Sequence, residues 1–172
     1  MQIAYTMAPG RGDTDLLLFQ IAETLGSKGY TTCGTVQINT ERGGGPCDMD
    51  VKVLPAGPIL RISQDLGRAS KGCRLDPESL EAAVGLVTAQ LVTGADVLII
   101  NKFGKHEADG RGFRSAIADA ISQNIPVLVG INALNLDAFR EFVGPEAIQL
   151  EPCEKVILEW LEASLSSAKQ VA

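Results

Sequence analysis

The residues between Met7 and Thr14 are the part of this sequence whose types and spacing best fit the binding of an anion. The segment lies between a short apolar run and a stretch of apolar residues at helical spacing, so it should connect a strand to a helix. The first N–H groups of a helix lack partners within the helix, and the helix dipole favours negative charge there. The segment therefore predicts an anion-binding loop, whose candidate binding residues are Gly10, Arg11, Gly12, Asp13 and Thr14.

The loop departs from the phosphate-binding pattern G-x-x-x-x-G-K-[ST], in which the lysine reaches the outer phosphates and the hydroxyl binds magnesium. Gly12 and Thr14 keep the second glycine and the hydroxyl, but Met7 replaces the first glycine and Asp13 replaces the lysine. A carboxylate about 4 Å from a phosphate oxygen would cost on the order of 4 kcal/mol per unit charge at an effective dielectric constant near 20. Either Arg11 or a lysine from another loop compensates, or Asp13 caps the helix and its carboxylate takes the place of the anion.

A second polar segment follows the apolar run from Val97 to Ile100, which is typical of a central parallel strand buried on both faces. Ligand-binding groups often lie at the carboxyl ends of such strands. Asn101 and the Thr14 hydroxyl could bind magnesium through neutral oxygens. Lys102 and Lys105 could supply the positive charge that is missing from the loop, although solvated loop lysines are the alternative.

The single histidine, His106, adjoins Glu107 in the same segment. A histidine beside a carboxylate suggests proton transfer. Sequence neighbours in a loop seldom point in the same direction, so an ordinary exposed histidine is the favoured interpretation. Glu107 remains the candidate catalytic carboxylate.

Strands and helices alternate along the chain, which predicts right-handed crossovers and a mainly parallel sheet. An antiparallel hairpin at one edge is predicted from two short apolar runs that are separated by Pro55, Gly57 and Pro58. The predicted strands are 2–6, 31–38, 51–54, 59–63, 97–100 and 126–131, and the predicted helices are 16–25, 76–92, 112–123, 136–142 and 156–165.

The length of 172 residues and the hydrophobic content of 45% fit one domain, predicted over residues 1–168 with a frayed tail at 169–172. The net charge of −6 argues against nucleic acid or an anionic membrane surface as a partner, and favours a small anionic ligand or a nucleotide. The sequence shows no export signal, which predicts a cytoplasmic protein. The four cysteines are scattered, so reduced thiols are expected, with a two-thiol switch or a soft-metal site at Cys47 and Cys73 as the alternative.

The order of these features resembles the thermostable nucleoside-triphosphatase family of P-loop proteins. In that family the strand that corresponds to Val97–Ile100 ends in D-E-[IV]-G-x-M-E. Here residues 101–107 read N-K-F-G-K-H-E, which keeps the glycine and the final glutamate but neither leading acid. The resemblance covers about residues 1–130. It implies a three-layer α/β P-loop NTPase-like fold with degenerate Walker A and Walker B motifs, phosphate binding by Gly10, Gly12 and Thr14, a catalytic Glu107, and magnesium bound together with a nucleotide.

These observations predict a protein that binds a nucleotide or another oxyanion and has weak or absent nucleoside-triphosphate hydrolysis. One alternative is an active nucleoside triphosphatase in which Arg11 or Lys102 replaces the lysine and Glu107 positions water. The other is a regulatory or interaction protein whose loop is capped by Asp13 and binds no ligand. The sequence leaves open whether the protein is an enzyme.

Overall fold

A computed structural model describes residues 2–40, 48–64 and 74–171, which form one seven-stranded sheet with helices on both faces. The strands are β1 (Ile3–Thr6), β2 (Thr32–Thr40), β3 (Asp48–Val53), β4 (Ile59–Arg61), β5 (Val97–Phe103), β6 (Val127–Ile131) and β7 (Ile148–Leu150). The helices are α1 (Asp13–Ser27), α2 (Pro77–Thr93), α3 (Lys105–Ala108), α4 (Arg114–Ser122), α5 (Leu136–Val143) and α6 (Glu154–Val171), with a 3₁₀ turn at Ala133–Asn135.

The strand order is β4-β3-β2-β5-β6-β1-β7. Strand β1 pairs in parallel with β6 and β7, and β5 pairs in parallel with β2 and β6. Strand β3 is antiparallel to both β2 and β4. The predicted mainly parallel sheet with a small antiparallel edge is therefore confirmed, although β3 begins at Asp48, earlier than the predicted start at Val51.

Two apolar layers cover the sheet, one on each face. Helices α1 and α6 pack on one face, where Leu18, Ile21 and Leu161 are buried against alternate strand residues such as Ile99. Helices α2, α4 and α5 pack on the other face, around residues that include Ile100. Burial on both faces explains the unbroken apolar run of β5, as expected for a central parallel strand. The three-layer α/β fold is confirmed.

Helix α2 begins and ends where its sequence predicts. The Asp76 carboxylate accepts hydrogen bonds from the backbone N–H groups of Glu78, at 3.1 Å, and Ser79, at 3.5 Å, and Pro77 occupies the first helical position. Such a cap stabilises a helix by about 1 kcal/mol. Gly94, with a φ of +106°, ends the helix. In the described parts of the chain, no helix is both long and apolar enough to cross a bilayer.

The carboxyl end of β5 is irregular, because its register with β6 shifts between Ile100 and Phe103. Within this stretch Asn101 is buried, whereas Lys102 is exposed. Strand β6 approaches closely here, since a Cβ atom on Gly130 would overlap the Asn101 carbonyl oxygen and the side chain of Leu18. The irregular strand end thus directs Asn101 inward and Lys102 outward, at the edge of the sheet where β1 also ends.

Candidate functional site

A cleft of about 600 Å³ opens at the carboxyl ends of β1, β5 and β6. In parallel α/β sheets, ligands bind outside the carboxyl ends of strands where neighbouring connections diverge. The connection from β1 runs through α1 to β2, on one side of β1. The connection from β6 runs through α5 to β7, on the other side of β1, so the two connections diverge here. The described lining residues are Met7, Ala8, Pro9, Gly10, Arg11, Gly12, Thr14, Asp15, Asn101, Lys102, Ile131, Asn132 and Ala133.

The loop between β1 and α1 is held in shape by its glycine and its threonine. Gly12 is the N-cap of α1 with a φ of +85°, a left-handed conformation that favours glycine. The Thr14 hydroxyl oxygen accepts a hydrogen bond from the backbone N–H of Ala8 at 2.9 Å, which ties the start of the loop to the first turn of the helix. The loop therefore presents the N-terminus of α1 to the cleft.

Asp13 does not have the capping role that was considered for it. It is the first residue of α1, and the N-cap residue Gly12 precedes it without any side-chain capping bond. Its exposed carboxylate lies against Gly10, where any Cβ atom would overlap it, and Asp13 is not among the residues that line the cleft. The expectation that Asp13 caps the helix is wrong, because the chain enters the helix one residue earlier.

Asn101 connects the cleft to the sheet. Its side-chain Oδ1 accepts the backbone N–H of Gln37 at 2.9 Å, and its Nδ2 donates to Oδ1 of Asp15 at 2.8 Å. Asn101 is itself buried, at 3% exposed, whereas Asp15 and Gln37 are half-buried. This geometry argues against the expected magnesium role of Asn101, because its only side-chain oxygen already binds a backbone amide.

The cleft brings together most of the residues that were predicted to bind an anion. Gly10, Arg11, Gly12 and Thr14 come from the first loop, and Lys102 comes from the end of β5. Among the described lining residues, Arg11 and Lys102 carry positive charge and Asp15 carries negative charge. Together with the helix N-terminus, the described part of the cleft is therefore net positive, which favours an anion.

Besides Asp13, two predicted site residues do not line this cleft, namely Lys105 and Glu107. Lys105 is exposed at the start of α3. Glu107 is 2% exposed, and its carboxylate accepts the backbone N–H groups of Gly104 at 2.9 Å and Phe113 at 3.3 Å. Burial is the main influence on its pKa and raises it above the usual value for a glutamate. These contacts give Glu107 a structural environment, in which its carboxylate joins the two ends of the segment 104–113.

A second cleft of about 600 Å³ lies beside α2, and His106 is part of its wall. The expectation of an exposed histidine is wrong, since His106 is 8% exposed and its Nε2 lies 2.6 Å from Oε1 of Glu81. The same oxygen accepts the backbone N–H of Gly112 at 3.1 Å. The hydrogen bond from His106 is the main cause that lowers the pKa of Glu81. Glu81 is 25 positions from His106, and no local pattern could have indicated the pair.

The cysteines and possible metal ligands add no further site among the described residues. Cys33 is buried, and burial raises the pKa of its thiol to about 11, whereas Cys153 is exposed. Cys47 and Cys73, which were considered for a thiol switch, lie outside the described residues. The described residues contain no group of three or more His, Cys, Asp or Glu side chains that could hold a metal ion.

Two solved structures resemble this fold over its full length. The crystal structure of THEP1 from the hyperthermophile Aquifex aeolicus has a TM-score of 0.67 and 21% sequence identity, and the match covers 98% of this chain and 99% of that chain. The solution structure of a human cancer-related nucleoside triphosphatase has a TM-score of 0.59 and 17% identity, and the match covers 100% of both chains. These likenesses show a P-loop NTPase-like fold and confirm the resemblance inferred from the sequence.

One sequence relative is the molybdenum import ATP-binding protein ModC 2 of Bradyrhizobium diazoefficiens, which is 32% identical over 173 residues. The match covers 99% of this chain but 19% of that protein, so the chain spans about a fifth of the length of this relative. A family model also matches residues 3–160, which include every described residue of the cleft. The chain, with its P-loop NTPase-like fold, therefore belongs to the family described as "Protein of unknown function (DUF2478)".

Proposed function

We propose that this protein binds a nucleotide or a free oxyanion in the cleft at the end of β1, and that hydrolysis of nucleoside triphosphates is weak or absent. The observation that carries the proposal is that Arg11, Lys102 and residues of the first turn of α1 line one cleft, and that Asp13 is not among the described lining residues. The Asp13 carboxylate lies against Gly10, which does line the cleft, so its negative charge should still weaken the binding of a phosphate. One similar protein is described as an ATP-binding protein and another as a nucleoside triphosphatase, which supports a phosphate-bearing ligand.

Weak hydrolysis is proposed because the groups that normally assist phosphoryl transfer are replaced or used elsewhere. An aspartate takes the place of the loop lysine, and its carboxylate lies against Gly10. Glu107 is bonded to two backbone amides away from the cleft, so it is poorly placed to activate a water molecule. Both departures remove charge stabilisation and positioning, which are the main sources of catalysis in this reaction.

Magnesium fits this cleft only in part. Asn101 does not fit as a ligand, since its oxygen binds Gln37, and the Thr14 hydroxyl already accepts the N–H of Ala8. Mg²⁺ is usually held by one or two carboxylates together with the phosphates of a bound nucleotide. Among the described lining residues only Asp15 offers a carboxylate for this role. We therefore expect magnesium to strengthen nucleotide binding only modestly, and titrations with and without the ion measure this effect.

Isothermal titration calorimetry with phosphate, sulfate, molybdate, ATP and GTP tests the proposal. Arg11→Met and Lys102→Met should each weaken anion binding about 10- to 100-fold, the usual contribution of one charged hydrogen bond. Lys105→Met is the matched control, because Lys105 is an exposed lysine three positions from Lys102 that does not line the cleft. The affinity of Lys105→Met for the anions should stay within about twofold of that of the wild type.

The possible outcomes separate the three functions. Equal losses for Lys102→Met and Lys105→Met would contradict binding in the cleft and indicate general surface attraction. No binding of any anion by the wild type would favour the regulatory or interaction protein. Rapid phosphate release from ATP or GTP that is lost in Glu107→Gln would favour the active nucleoside triphosphatase.

A further inference from the structure

We propose that Asn132 is a ligand-binding residue of the cleft at the end of β1, where its side-chain NH₂ group donates a hydrogen bond to an oxygen of the bound oxyanion. The inference rests on the proposed function, because it concerns how the same cleft holds its ligand. Asn132 follows β6 directly and is among the residues that line the cleft.

The strand order places Asn132 between the two cationic residues of the cleft. Strand β6 lies between β5 and β1 in the sheet. Lys102 belongs to β5, and Arg11 belongs to the loop that follows β1. Neighbouring strands are about 4.8 Å apart, so β5 and β1 are separated by roughly 10 Å. A ligand that is contacted from both of these strands therefore extends across the end of β6, where Asn132 lies.

The turn that follows β6 fixes the orientation of the Asn132 amide. Its Oδ1 accepts the backbone N–H of Asn135 at 3.2 Å and the side-chain Nδ2 of Asn135 at 2.9 Å. A backbone N–H can only donate, so the oxygen of Asn132 must face Asn135 and its NH₂ group must point elsewhere.

This NH₂ group is free to donate to a ligand. No described residue accepts a hydrogen bond from Nδ2 of Asn132. Asn132 is half-buried, and Nδ2 is not among the enclosed side-chain atoms that lack a partner in the described part of the chain. The group therefore reaches the surface, and Asn132 contributes to the surface of the cleft. Asn101, the other amide in the described lining, differs because both of its polar side-chain atoms are bonded within the protein.

An amide whose oxygen is occupied offers the ligand only donors. It therefore favours a ligand that presents acceptor oxygens, such as inorganic phosphate or the phosphate group of a nucleotide. The amide carries no charge and does not titrate, so it complements the charge attraction of Arg11 and Lys102 without adding to it. The strength of this contact should be the same at every pH at which the protein is folded.

Calorimetry at pH 7.5 with inorganic phosphate and, separately, with ATP tests the role of Asn132. In Asn132→Ser the hydroxyl can still cap the turn but is too short to replace the NH₂ group, so affinity should fall about 10- to 100-fold. Asn132→Asp keeps the shape and the capping oxygen but turns the donor into a charged acceptor, and it should lose more than about 100-fold. A loss for phosphate identifies a free oxyanion as the ligand, and a loss for ATP alone identifies the phosphate of a nucleotide.

Leu134→Asp is the charge-matched control for Asn132→Asp. Leu134 is 93% exposed in the same turn and is not among the described lining residues, so the variant adds one negative charge two positions away without altering the cleft. Because water and salt screen an exposed charge, its affinity should stay within about threefold of that of the wild type.

A measurement on the wild type keeps the test decisive even if neither Asn132 variant folds. In NMR spectra of ¹⁵N-labelled protein, saturating phosphate or ATP should shift the side-chain NH₂ signals of Asn132 and leave those of Asn124, which is not among the described lining residues, in place. Unchanged Asn132 signals in the presence of a bound anion would overturn the inference.

The inference would also be overturned if Asn132→Ser and Asn132→Asp bound phosphate and ATP as tightly as Leu134→Asp does. Failure of the proposed function gives a different pattern, in which the wild type binds no anion or Arg11→Met and Lys102→Met bind as tightly as the wild type. Binding that depends on Arg11 and Lys102 but not on Asn132 would refute the inference alone.

Discussion

Replacing Asn101 by aspartate should destabilise the fold strongly, although the two side chains have nearly the same shape. The new oxygen would lie about 2.8 Å from Oδ1 of Asp15, where the amide nitrogen lies now. At an effective dielectric constant near 20, two unit charges at that distance repel by about 6 kcal/mol. Protonation of the pair limits this cost, because raising one aspartate pKa from about 3.9 to 7 costs roughly 4 kcal/mol.

Urea denaturation at pH 7 should therefore show a loss of up to about 4 kcal/mol in the free energy of unfolding of Asn101→Asp. The loss should decrease as the pH falls from 7 to 5, since one proton shared by the two carboxyl groups removes the repulsion. The swap variant Asn101→Asp/Asp15→Asn should recover part of this loss, because it restores a hydrogen bond between the two side chains. Recovery should be incomplete, because the carboxylate moves from the half-buried position 15 to the buried position 101.

A loss of less than about 1 kcal/mol at pH 7, or a loss that does not change with pH, would refute the reasoning, since the two side chains would then be too distant to interact. The reasoning would also be refuted if the double variant lost as much free energy of unfolding as the two single variants lose in sum.

Gly12→Ala should lower the free energy of unfolding by about 1–2 kcal/mol, because Gly12 has a φ of +85°. Gly85 is an exposed residue in the middle of α2, so Gly85→Ala should raise the free energy of unfolding by roughly 0.5–1 kcal/mol in the same denaturation assay. Glu107→Gln should cost about 1–3 kcal/mol, because the new NH₂ group faces a backbone N–H. Burial raises the pKa of Glu107, so this side chain contributes its full stability at a pH below the ordinary glutamate pKa and loses that contribution as the pH rises through the raised pKa. The difference in free energy of unfolding between wild type and Glu107→Gln should therefore grow as the pH falls from 7 toward 5. His106→Leu should lower the free energy of unfolding by about 1 kcal/mol at pH 7. The expected loss is small because the Glu81 side chain is 47% exposed and water screens its interaction with His106. Since the pKa of Glu81 is lowered, this difference should disappear in acid as the pH falls through the folded-state pKa, and a constant difference down to pH 2 would contradict the pairing.

The sequence was sufficient to predict the elements that rely on local patterns or on burial. The unbroken apolar run of β5 indicated a strand covered on both faces, and Asp76, Pro77 and Gly94 marked the two ends of α2. Strand β7 was missed because it has three residues, two of them exposed, and it is held by backbone pairing with β1. Its stability comes from its neighbour, which no local pattern reveals.

The position of the site was predictable, whereas its internal contacts were not. The carboxyl ends of parallel strands meet at one edge of the sheet, which places the loop around Gly12 beside Lys102. The contact between Asn101 and Asp15 joins residues 86 positions apart and depends on the register shift at the end of β5. The direction of His106 likewise depends on α2, which supplies Glu81.

The place of β1 in the sheet also determines when the loop between β1 and α1 can adopt its folded conformation. This strand precedes the other described strands in the sequence, yet among them it pairs only with β6 and β7, where Ile3 lies opposite Val127 and Ala4 lies opposite Ile148. While the chain is being synthesised, β1 leaves the ribosome long before either partner, so its edges have no strand to pair with. The proposed ligand can therefore stabilise the domain only after β6 and β7 have emerged and paired with β1.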